Sequence, residues 1–73
     1  MMDVNIWVVP YGKIWAVKFE NAKTTLFQSP SQSDAETYAL NLASTMQCGL
    51  IIQDRNGNII QNGSYGGAQA HQG

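Results

Sequence analysis

The chain has 73 residues, 44% of them hydrophobic and 12% charged, with a formal net charge of −1. A chain this short makes one domain that removes only about 60% of its unfolded surface from water, and with one cysteine (Cys48) and one histidine (His71) it can add neither a disulfide nor a zinc site. The near-neutral charge excludes a long-range field for nucleic acid, and no apolar run approaches the roughly 20 residues that span a bilayer.

Val4 to Val9 is an almost unbroken apolar and aromatic run, predicted as the first strand, with a turn at Pro10-Tyr11-Gly12. Ile14 to Phe19 alternates. Trp15, Val17 and Phe19 fall on one face and Ile14, Ala16 and Lys18 on the other. Glu20-Asn21-Ala22-Lys23 is a polar turn, and Thr24 to Gln28 is expected to form a short third strand.

Ala35, Tyr38, Ala39, Leu42, Ala43 and Met46 recur at helical spacing, one apolar stripe along one face. Ser31 followed by Asp34 marks the N-cap, with a competing frame that puts Ser29 at the cap and Pro30 at the first helical position. Gly49 is expected to end the helix as a left-handed cap. Leu50-Ile51-Ile52-Gln53 and Asn58-Ile59-Ile60-Gln61 then flank Asp54-Arg55-Asn56-Gly57, whose Asn-Gly pair predicts a type I′ hairpin.

These elements give an α+β fold in the order β-β-β-α-β-β, an antiparallel meander and a C-terminal hairpin in one sheet with a single helix on one face. The predicted core is Trp15, Val17, Tyr38, Ala39 and Leu42. Residues 1–66 form the domain and 67–73, rich in Gly, Gln and Ala, form a flexible tail.

No chemistry stands out. Cys48 follows a helix C-terminus, where the dipole disfavours a thiolate, so it is expected to be structural rather than nucleophilic. Asp3, Glu20, Asp34, Glu36 and Asp54 are scattered over different elements, leaving no pair placed for acid and base work. A calcium loop opening at Asp54 would need Glu at its twelfth position, which is Tyr65. Asn62-Gly63-Ser64 fits a glycosylation acceptor but is expected to be a turn. The chain is therefore expected to be no enzyme and to use no cofactor or metal.

Binding is the remaining expectation. Strand one is apolar on both faces, Ile6 and Val8 on one and Trp7 and Val9 on the other, and its register cannot be chosen from sequence. One helix covers one side of a sheet, so the other side is expected to meet a second copy, giving a homodimer, or another protein. Trp7, Val9, Tyr11, Ile51 and Ile60 are the expected contact residues. The alternative is a single-stranded nucleic-acid binder stacking bases on Trp7, Tyr11, Trp15 and Phe27. Only Lys13, Lys18, Lys23 and Arg55 carry positive charge, which argues against it. A lone cysteine and a start without a secretory pattern point to the cytoplasm.

One further signal lies in the order of short motifs. Val8-Val9-Pro10, Trp15-Ala16-Val17-Lys18, the Ser-capped helix with Ala35 and Ala39 inward, Asp54-Arg55-Asn56-Gly57 and Ser64-Tyr65-Gly66 follow one another at set spacing. In this the chain resembles the small bacterial and phage family catalogued as domain of unknown function 2188, from about Trp7 to Gly66. Tyr11 and Ile14 depart from it, standing where the family often has a polar or basic residue and a glycine. The resemblance implies the same α+β fold and carries over no catalytic residue.

Overall fold

The computed structural model describes residues 4–64. The predicted 67–73 tail, and with it Asp3, Tyr65 and His71, lies outside the described residues. In chain order the elements are β1 (Asn5–Tyr11), β2 (Ile14–Phe19), β3 (Phe27–Ser29), α1 (Gln32–Met46), β4 (Gly49–Gln53) and β5 (Ile59–Ser64). They form one α+β layer pair, a five-stranded sheet in the order β3-β2-β1-β4-β5 with the helix on one face.

All neighbouring strands are antiparallel except the central pair. β1 and β4 run parallel, Ile6 opposite Leu50 and Val8 opposite Ile52. The helix makes this possible, since it returns the chain along the sheet before β4 begins. β1 extends through Pro10 to Tyr11, so the turn is Gly12-Lys13 rather than Pro10-Tyr11-Gly12. Proline is tolerated in this central strand because the β1–β4 ladder has already ended at Val8. Gly12 has φ 64, suiting the first central position of a II′ turn. β3 is shorter and later than expected, because Asn21 (φ 64) and a bond from the Ala22 amide to the Phe19 carbonyl start a loop there.

Burial fixes the register that sequence left open. Ile6 and Val8 face the helix at 0% exposure, with Val17 and Trp15 of β2 and Leu50 and Ile52 of β4. The helix meets them through Ala35, Ala39 and Ala43, each fully buried. Three alanines on one stripe let the helix axis approach closely, while Leu42 and Met46 pack at the margin. Tyr38 is a correction: it is 38% exposed and lies outside the core, its ring stacked on Phe27 at 4.4 Å. Its position on the stripe leans toward β3, the edge strand that carries Phe27.

The helix start follows the Ser31 frame, with the Ser31 hydroxyl accepting from the Asp34 amide at 3.2 Å. Ser29, the competing cap, accepts from the Ser31 amide instead. The stop differs from expectation. Gln47, not Gly49, takes the left-handed conformation (φ 57). Gly49 opens β4, where its missing side chain leaves room for Asn5. A Cβ there would collide with Asn5 Oδ1 and stand 3.3 Å from the Gly63 carbonyl oxygen. Asn5 is held in place by its own 2.7 Å bond to Glu20 Oε1. Gly49→Ala is therefore expected to cost about 1–3 kcal/mol, as overpacking does, read as a lower urea midpoint at unchanged slope.

The β4–β5 turn is also of another type. Asn56 keeps a negative φ and only Gly57 (φ 88) is left-handed, giving a type I turn followed by a bulge in place of type I′. The Asp54 carboxylate dictates this by accepting from the amides of Asn56 and Asn58 at 2.8 and 2.9 Å. Ile52 then pairs with Gln61 but Gln53 with Ile59, so Ile60 is the extra residue of a bulge.

Candidate binding surface

The alternation of β1 that buries Ile6 and Val8 sends Trp7, Val9 and Tyr11 to the face away from the helix. Register supplies their neighbours. Trp7 lies between Lys18 and Ile51, Val9 opposite Ala16, and Tyr11 opposite Ile14. No helix lies over this face among the described residues. Lys18, Glu20, Asn21 and Gln53 surround Trp7 and Val9 in a shallow depression.

The face is graded rather than uniformly open. Ala16 is 0% and Ile51 7% exposed, although neither is under the helix. Large neighbours standing about 5 Å away shade small or central ones, and Ile51 has Trp7 beside it in register. Ile51, an expected contact residue, is thus buried within this face. Trp7 and Val9 are half-buried and Tyr11 is half-exposed. Ile60, also an expected contact residue, is exposed on β5, the outer strand, with β4 between it and the strand of Trp7.

One atom of this face lacks a partner among the described residues. Trp7 Nε1 is shielded from solvent and donates to no acceptor among the described residues. An unpaired buried donor costs about 1–3 kcal/mol, so the indole stands ready to repack where an acceptor is offered.

The charges decide what the face is suited to. Of the four cations, only Lys18 belongs to it. Arg55 is occupied elsewhere, a role that sequence gave no sign of. Its guanidinium lies 4.5 Å from the centre of the Trp15 ring and donates to the carbonyls of Gly12 (3.0 Å) and Lys13 (3.4 Å). It ties the tip of the β4–β5 hairpin to the β1–β2 turn. A base-stacking platform without a row of cations lacks the term that dominates such binding.

No group of three His, Cys, Asp or Glu among the described residues could hold a metal. Cys48 is buried and free, and burial raises the pKa of its thiol, which keeps it protonated and unreactive.

Comparison with known families adds the chain's kinship. A family described as an uncharacterized protein conserved in bacteria, DUF2188, matches residues 6–65. The chain belongs to the DUF2188 family. No curated protein and no solved structure matches it. The DUF2188 match runs from Ile6 past the end of β5, so it takes in every strand and the helix, and with them both sheet faces. No helix among the described residues is long and apolar enough to cross a membrane.

Proposed function

We infer that this DUF2188 chain works by binding rather than by catalysis, as a small self-associating domain of the cytoplasm whose helix-free sheet face meets a second copy of itself. The observation that carries this reading is the face of Trp7, Val9 and Tyr11, which has no helix over it among the described residues. Apolar area removed from water there stabilises association by about 25 cal/mol per Å². The rim favours a second copy over a dissimilar partner. Lys18 and Glu20 border the same depression with opposite charges, so a two-fold axis through it sets the lysine of one copy against the glutamate of the other. Trp7 Nε1 has no acceptor among the described residues, and repacking of the indole at the contact would bring it to acceptors on the partner.

Trp7→Glu tests the reading. Light scattering after size-exclusion chromatography should show a dimer for the parent chain and a folded monomer for the variant. Binding should weaken by at least tenfold, since a carboxylate would be desolvated at the centre of the contact. A parent chain that is monomeric at high micromolar concentration, or a Trp7→Glu dimer of unchanged stability, would sink it.

A further inference from the structure

The chain holds two Asn-Gly pairs, Asn56-Gly57 and Asn62-Gly63, and the fold places them in different settings. Such a pair carries latent chemistry. The glycine amide nitrogen, once it has lost its proton, can attack the asparagine side-chain carbonyl carbon, and glycine has no Cβ to obstruct the approach. The new C–N bond closes a five-membered succinimide, and the side-chain nitrogen leaves as ammonia, taking up a proton from water. Water then opens the ring at one of its two carbonyls. Opening at the side-chain carbonyl leaves aspartate, and opening at the main-chain carbonyl leaves isoaspartate, whose backbone runs through an added methylene.

Asn56 has the freedom this needs and Asn62 does not. Asn56 and Gly57 are both exposed in the β4–β5 turn. A Cβ built on Gly57 would meet nothing within 4 Å, so the peptide has room to rotate. The φ of 88 at Gly57 keeps glycine in that position, because other side chains rarely adopt it. Bringing the Gly57 nitrogen onto the Asn56 side chain breaks one turn bond, from the Gly57 amide to the Asp54 carbonyl. Asn62-Gly63, expected from sequence to be a turn, lies instead within β5, opposite Ile51 and Leu50 of β4. There the same rotation has to open the ladder.

We propose that Asn56 is a site of deamidation in the folded protein, and that isoaspartate there releases the clasp by which Arg55 ties this turn to the β1–β2 turn. Arg55 stands next to Asn56, 4.5 Å from the centre of the Trp15 ring, and reaches the Gly12 and Lys13 carbonyls only as the turn now directs it. That direction depends on the Asp54 carboxylate, which accepts from the amides on either side of the reacting peptide, Asn56 and Asn58. An added methylene between those two amides shifts them apart. The new carboxylate also offers the Arg55 guanidinium a competing partner. Self-association plays no part in this chemistry.

Incubation of the full chain at mildly alkaline pH, with charge variants separated by ion exchange and located by peptide mass mapping, tests the proposal. Asn56 should deamidate roughly tenfold or more faster than Asn62 in buffer, and the two rates should converge in concentrated urea, where both pairs lose their structure. Asn56→Gln should abolish the fast phase, since its longer side chain would have to close a larger ring. The purified isoaspartate form should unfold at a lower urea midpoint, and deamidation of an Arg55→Gln variant should lower the midpoint much less. The proposal is overturned if Asn62 reacts as fast as Asn56 in the folded chain, or if Asn56 stays intact there while the unfolded chain reacts. An equal drop in midpoint with and without Arg55 would overturn the release of the clasp.

Discussion

Trp15→Ala should destabilise the domain by about 3–5 kcal/mol, the range for large aromatic truncations in cores, which for a domain of this size removes most of its stability. Trp15 is 5% exposed and belongs to the core beneath the helix. Its loss acts twice. The cavity opens beside Val17 and Ile52, and Arg55 loses the ring under its guanidinium, so the grip on the Gly12 and Lys13 carbonyls loosens as well. Urea denaturation followed by circular dichroism measures the cost. A change under about 1 kcal/mol would show that the ring contributes little to the core.

Val8→Glu should be more damaging still. Val8 is fully buried between Val17 on one side and Ile52 on the other, with no polar side chain paired to it. A carboxyl group placed there would be desolvated without a partner, and its raised folded pKa costs up to about 4 kcal/mol at neutral pH, in addition to the cost of burying an unpartnered polar group. The sign gives a further check. With the folded pKa above the unfolded one, the ionisation penalty is absent below the unfolded value of about 4.3 and grows until pH passes the folded pKa. The variant should therefore be unfolded at neutral pH and regain structure on mild acidification. A cooperative neutral-pH melt close to the parent's would contradict the inward register of Ile6 and Val8.

The contrast between these two residues and their neighbours explains what could be read in advance. β2 was legible to its last residue because Ile14 to Phe19 sets its bulky Trp15, Val17 and Phe19 on one face and a polar turn follows. The Ser31 cap and the alanine stripe are local signals, set within a few residues of chain. Strand β1 was harder. Ile6, Trp7, Val8 and Val9 are apolar at every position, so only the helix, arriving from another part of the chain, distinguishes the two faces. Ile51 and Ile52 repeat the lesson, since both are buried, Ile52 beneath the helix and Ile51 beside Trp7. Their burial has two causes, and a contact surface assigned from hydrophobicity alone confuses them. The turn at Asp54 went to another type because a side-chain carboxylate outweighed the preference of the Asn-Gly pair. Arg55 was invisible because its partners lie near the other end of the chain. As for function, the sequence offered no reactive cluster to point to a chemistry.

The parallel contact between β1 and β4 also sets the order in which the molecule can be assembled. While the chain is being synthesised, β1, β2 and β3 can pair as soon as they appear, yet one flank of β1 remains open until Leu50 to Ile52 has emerged. During that interval the strand richest in bulky apolar groups is an unprotected edge, the species most exposed to aggregation. No shorter piece ending after α1 escapes this, because the strand that covers that flank of β1 comes after the helix in the chain.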